Sequence, residues 1–180
     1  MITEESIRKL FCIWGDITIN NINGSQIVDV DGTVEPYSTS FHIEKLPFKF
    51  GKVESFIFSD IGLTTLIGSP HTADVFNVSK NKLSTLEGGP KTVGTYYSCN
   101  DNPLVNLKGA PDSVGVEFRV SWSENLPLLS ILKYDLVFVR GKIAVNAIMQ
   151  KYAGKKPLRQ VIIQCQKELI DAGYKGNARL

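Results

Sequence analysis

LSTLEGGPKTVGTYYSCNDNPLVNL, residues 83–107, holds one complete unit of a repeat and decides how the rest of the chain is read. It opens on Leu83/Leu86 and closes on Leu104/Leu107. The same LxxL pair recurs as Leu63/Leu66 before it and Leu126/Leu129 after it, with first members 20, 21 and 22 residues apart. Leu46, 20 residues before Leu66, extends the series backwards. A fixed period of this length outranks local signals, because each unit can bury its apolar face only against its neighbours.

Each unit keeps the same internal order. After the leucine pairs come Gly68-Ser69-Pro70, Gly88-Gly89-Pro90 and Gly109-Ala110-Pro111. Glycine permits unusual dihedrals and proline fixes φ, so each GxP is expected to turn the chain from one face to the other. A run with alternating apolar residues follows: Phe56/Phe58, Phe76/Val78, Tyr97/Cys99 and Phe118/Val120. Period-two alternation places each pair on one side of a strand, and that phase is read as core.

In two units the strand runs into an asparagine with the spacing LxLxxNxL of leucine-rich repeats: Phe76, Val78, Asn81, Leu83 and Tyr97, Cys99, Asn102, Leu104. A carboxamide both donates and accepts, so Asn81 and Asn102 are structural positions suited to backbone groups at a bend that no sheet ladder serves. The outer units diverge, with Ile61 at that place in one and Ser123 or Asn125 in the other. The expected fold is α+β: a short leucine-rich-repeat solenoid of about four turns over residues 46–129. Residues 1–45 are expected to form an N-terminal cap and 130–180 a C-terminal cap, all in one continuous domain.

Units such as LEGGPKTVGTYYSCNDNPLVN and LKGAPDSVGVEFRVSWSENLPL resemble the leucine-rich-repeat-like proteins of tailed bacteriophages, in which LxGxPxxVGxxFxCxxNxLxxL recurs. The lead-in LPFKFGKVESFIFSDIGLTTL and the ending ELIDAGYKGNARL are similar to the same group, so the likeness spans about residues 29–180. It implies a viral accessory protein. The family carries no assigned active-site residues to transfer.

Both flanks suit the covering of terminal repeats. Ile7, Leu10, Phe11 and Trp14 follow helical spacing, with Thr3 as N-cap and Glu4 and Glu5 in the first turn. Asn23-Gly24 and Asp31-Gly32 read as turns separating ITINNI, QIVDV and FHI, which predicts a β-meander. At the other end LVFVRG predicts a strand and IAVNAIMQKYAG a helix closed by Gly154. A second helix starts near Pro157, carries the stripe Leu158, Val161, Ile162, Cys165 and Leu169, and stops at Gly173.

Net charge is +2 overall but polarised: residues 1–131 hold 10 Lys/Arg and 15 Asp/Glu, residues 132–180 hold 10 and 3. Lys151, Lys155, Lys156, Arg159, Lys167 and Lys175 in the basic end form a candidate nucleic-acid surface. The N-terminus lacks the charge and apolar pattern of a leader, and no apolar run approaches the roughly 20 residues of a membrane span. A cytoplasmic protein is therefore expected, in the host cytoplasm if viral. Cys12, Cys99 and Cys165 are odd in number and have no CxxC spacing, so they are read as buried small hydrophobes rather than a disulfide framework or zinc site.

Catalytic chemistry finds little footing. Asp29-x-Asp31-Gly32 has the opening of a calcium loop, but Ser40 stands where the bidentate carboxylate belongs. His42 and His71 fall in different elements, and GKVES lacks P-loop spacing. No enzyme, metal or cofactor is therefore expected. The outward phase of the repeat strands is more promising. Ile57, Asn77, Tyr96, Ser98, Asn100, Glu117 and Arg119, with Trp122 at the edge, are expected on the concave sheet, a mix suited to a protein partner of host or phage origin. Nucleic-acid binding through the basic helices and a structural place in the virion are the alternative functions.

Overall fold

Runs rich in β-branched and aromatic residues at period two favour strands. The computed structural model of the protein, which describes residues 1–38 and 42–180, has strands at each repeat. β1 (Phe11–Ile22), β2 (Ser25–Pro36), β3 (Lys49–Ile57), β4 (Thr72–Asn77), β5 (Thr92–Ser98), β6 (Ser113–Val114), β7 (Glu117–Ser121) and β8 (Leu136–Arg140) form one sheet in the order β1-β2-β3-β4-β5-β7-β8, with β6 also on β5. β1 and β2 pair antiparallel, and every pairing from β2 to β8 is parallel. The architecture is a β-solenoid of about five turns with three helices: α1 (Glu4–Leu10), α2 (Ile143–Tyr152) and α3 (Leu158–Asp171). It has one turn more than expected, because a 3-10 turn (Leu129–Lys133) and β8 carry the coil onward past Leu129.

The core is a column of rings along the solenoid axis. Phe56, Phe76, Tyr97, Phe118 and Tyr134 stack in sequence with centroids 4.9–5.3 Å apart. The first four occupy one register row, Phe56↔Phe76↔Tyr97↔Phe118, so parallel pairing itself brings each ring over the next, while Tyr134 is set on the column by the 3-10 turn that precedes β8. All are buried, in one core cluster with the LxxL leucines. Gly68, Gly88 and Gly109 have φ near +90°, the left-handed conformation that the GxP turn requires after each leucine pair.

The bend after each strand is closed by asparagine. Asn81 Oδ1 accepts the amides of Ile61, Gly62 and Leu63 at 3.0–3.2 Å, while its Nδ2 donates to the carbonyls of Phe58 and Val78. Asn102 repeats the arrangement one turn on, accepting from Leu83 N and donating to Val78 and Cys99 carbonyls. Each asparagine thus serves its own turn and the one before it, so the unit with Ile61 needs none of its own. At the diverged last bend the amide comes from elsewhere. Asn177, fully buried, donates to the carbonyls of Ser123 and Leu126 and accepts from Trp122 Nε1, 55 residues away in sequence.

The N-terminal flank differs from expectation. Thr3 does cap α1, sharing a reciprocal bond with Ser6, but the helix stops at Leu10. Phe11 and Trp14 instead lie in β1, where cross-strand pairing along twelve residues outweighs helical spacing. Asn23-Gly24 forms the turn of the β1–β2 hairpin, whereas Asp31-Gly32 runs through the middle of β2. Gly32 faces Gly15 there, both at φ well above +100°, and a Cβ on either would stand 2.0 Å or less from the opposite backbone carbonyl. The glycine serves close approach of two strands, not a turn. Nor is there a meander, since β2 passes to β3 in parallel; Phe41 of the expected third run lies outside the described residues, as does Ser40. At the C-terminus Val161, Cys165 and Leu169 of α3 are buried, and α2 packs on β8 and α3.

Asn81→Ala strands three amides and the Phe58 carbonyl, while the Val78 carbonyl keeps its bond from Asn102, and should cost about 3 kcal/mol or more, lowering Tm by roughly 6–12 °C in calorimetry. Tyr97 has the opposite expectation. Its hydroxyl is buried in the ring column without a hydrogen-bond partner among the described residues, and burial holds its pKa well above the ordinary value. Tyr97→Phe keeps the stacking and removes that penalty, so Tm should rise by roughly 2–4 °C, the equivalent of about 1 kcal/mol.

Candidate functional site: the open sheet face

Side chains of the outward phase form rows across the parallel strands. One row runs Ser55, Val75, Tyr96, Glu117, Leu136 and the next Ile57, Asn77, Ser98, Arg119, Phe138. Parallel register is what aligns them, since equivalent residues of each turn stand side by side. Ile57, Asn77, Tyr96, Glu117 and Arg119 are half-buried on this face. Ser98 and Asn100 are buried at 2% and 9% exposure, so they form the floor between taller neighbours rather than a contact surface. Asn100 Nδ2 donates to Ser98 Oγ.

Arg119 is the centre of this face. Its guanidinium lies 5.0 Å from the Tyr96 ring centroid and 5.5 Å from that of Phe138, one strand to either side. Its Nε and one terminal nitrogen both approach Glu117 Oε2 at 2.7 Å, and this hydrogen bond holds the guanidinium charged. A planar cation between two rings and tethered by a carboxylate is pre-organised, with little rotamer freedom left to lose on binding. Phe138 was not among the expected residues. Its signal was present in LVFVR, whose buried Val137 and Val139 put Phe138 on the outward phase.

Trp122 belongs to a different setting from the rest. Its indole donates to Asn177, and the Lys142 ammonium sits 5.2 Å from its ring and 5.6 Å from that of Tyr174. The expected hot-spot tryptophan is therefore engaged by the chain's own C-terminal residues. Together they line a cleft of about 420 Å³ with Lys175.

The basic residues are divided. Lys151, Lys155 and Lys167 share a cleft between α2 and α3 with Glu168 and Asp171, while Lys175 lines the Trp122 cleft. Lys151 is bound to Glu168 at 2.6 Å, and Tyr152 donates to the same carboxylate, which lowers its pKa. Lys155, Lys156, Arg159 and Lys167 are exposed. A further cleft of about 590 Å³ at the β1–β2 end, lined by Asp29, Asp31, Glu54 and Asp74 around Lys52, was not anticipated, because hairpin and repeat strands meet there only in the fold.

No protein-family profile matches the chain, and neither a curated protein nor a solved structure does. Among the described residues no helix is long and apolar enough to cross a membrane, and no group of three or more His, Cys, Asp or Glu is placed to hold a metal. His42 and His71 are both exposed.

Two of the three cysteines are buried as expected, and Cys12 is half-buried on β1. Burial pushes the Cys165 thiol up to about 12 and raises Cys99 as well, so both stay protonated at neutral pH and are poor nucleophiles. Alkylation of the native protein should therefore modify Cys12 first, with Cys99 and Cys165 reacting only on unfolding, as peptide mass spectrometry would read. The folded state holds the Cys165 proton more tightly than the unfolded chain, whose thiol has the ordinary value of 9.0. Its contribution to stability is full below about pH 9 and declines as pH rises towards about 12. Tm measured across that range should fall, and less steeply in Cys165→Ala.

Proposed function

We propose that this chain is a non-enzymatic protein-binding module, a leucine-rich-repeat-like solenoid whose ends are covered by the N-terminal helix and hairpin and by the two C-terminal helices. The repeat identity is supported by the 20–22-residue period, the paired roles of Asn81 and Asn102, and the left-handed GxP glycines. The resemblance to phage leucine-rich-repeat-like proteins makes the partner a host or phage protein met in infection.

One observation carries the binding reading: Arg119 stacked between Tyr96 and Phe138 on the open sheet face and tethered by Glu117. Arginine and aromatic side chains held rigid in this way are the types that dominate interface energetics. They lie in a shallow, polar-floored face bordered by Ile57 and Val75, which suits a protein surface better than a small ligand. The basic helices are weaker ground, because Glu168 neutralises Lys151 and Asp171 shares their cleft.

Affinity purification of the tagged chain from infected cells tests this. Tyr96→Ala combined with Arg119→Ala should weaken capture of the partner at least about tenfold, each truncation removing about 1 kcal/mol or more. Lys155→Glu with Lys156→Glu should leave it unchanged. Retention by the first pair at wild-type level, in a protein that still melts cooperatively, would overturn the proposal.

A further inference from the structure

The two edges of the sheet are treated differently. β8 is short, its Val139 amide donates to Asn146 Oδ1 at 2.7 Å, and α2 follows directly and packs on it. These are the usual means of blunting an edge. β1 is twelve residues long, and its protection covers only the first half: the Arg8 guanidinium donates to the carbonyls of Ile13 and Gly15 at 3.1 and 3.0 Å. In an unbroken antiparallel register, residues of one parity turn both backbone groups away from the partner strand. Ile13 and Gly15 mark that parity, so Ile17, Ile19 and Asn21 share it. Among the described residues none of these three has a hydrogen-bond partner on that side.

We propose that the open half of β1 pairs antiparallel with the same segment of a second copy, joining two sheets about a two-fold axis at Ile19. The segment is self-complementary. With Ile19 opposite itself, Ile17 faces Asn21, Thr18 faces Asn20 and Asp16 faces Ile22, so no like charges are opposed. All three outward-pointing residues of each strand are used, giving about six main-chain hydrogen bonds. Ile17 and Ile19 pack partly against the core; Ile19 would meet its counterpart and Ile17 would lie diagonal to it, extending the apolar face across the join. The exposed side chain of Ile22 falls within the contact. Because β8 is blunted, the pairing closes at two copies instead of growing into a filament. A contact this short makes a dimer that forms at high protein concentration and dissociates on dilution.

Sedimentation velocity from micromolar to millimolar protein tests this, with hydrogen exchange at the two extremes. The mass should rise from 19.9 kDa towards twice that value, and the amides of Ile17, Ile19 and Asn21 should slow several-fold at high concentration only. Asn21→Pro removes an amide that faces solvent in the single copy, where proline is tolerated on an edge strand, and blocks both ends of the paired segment. It should stay at 19.9 kDa at every concentration while keeping the wild-type Tm. The proposal is overturned if the wild type remains a single copy at the highest concentration. It is equally overturned if the dimer forms without added protection at these amides, or if a folded Asn21→Pro dimerises like the wild type.

Discussion

A coil of parallel strands must leave the sheet at the end of every strand, and at that bend amides and carbonyls lose the ladder that satisfied them. Burial makes the loss costly, because the bend lies against the apolar interior and water cannot substitute. Asn81 answers this with one side chain that accepts from three amides and donates to two carbonyls. The rest of the solenoid depends on that exchange. With the bends closed, successive strands repeat in the same register and the ring column from Phe56 to Phe118 assembles without further instruction, with Tyr134 added from the 3-10 turn. The same register lays out the open face, so Tyr96, Arg119 and Phe138 come together because their turns are stacked.

The last bend shows the same constraint met by different means. Where the unit ends in Trp-Ser-Glu-Asn, the asparagine is supplied by Asn177 near the chain terminus. Trp122 is held by the same residue, and Lys142 lies over its ring. The end of the chain is thereby tied to the bend it completes. α2 and α3, which lie between the two in sequence, pack against β8, the 3-10 turn and each other.

At the opposite end of the sheet lie α1 and the antiparallel β1–β2 hairpin. Phe11, at the start of β1, packs its ring against Phe48, Phe50 and Phe58, which continues the aromatic core to the first strand. Gly15 and Gly32 let β1 and β2 approach closely at mid-strand. The polarity of charge along the chain follows this layout, with carboxylates of β2, β3 and β4 gathered in one cleft and the lysines on α2 and α3.

What the residues alone determined is whatever depends on short-range pattern: the period, the strands, the GxP turns, the inward phase of the aromatics, the two asparagines and the stripe on α3. Each is set by local geometry repeated at fixed spacing, which needs no knowledge of the neighbours. Three features needed the tertiary structure. Ile7, Leu10, Phe11 and Trp14 carry helical spacing, yet a long strand pairing claimed the last two, since cross-strand bonds to β2 are invisible to a window of local sequence. The role of Asn177 spans 51 residues or more, with no periodic signal to announce it. The setting of each outward residue also rests on its neighbours in space. Ser98 and Asn100 sink between taller side chains, Trp122 is claimed by the terminus, and Arg119 gains two rings from adjacent strands. A strand's alternation states which side a residue faces, but only the packed turns decide what stands beside it.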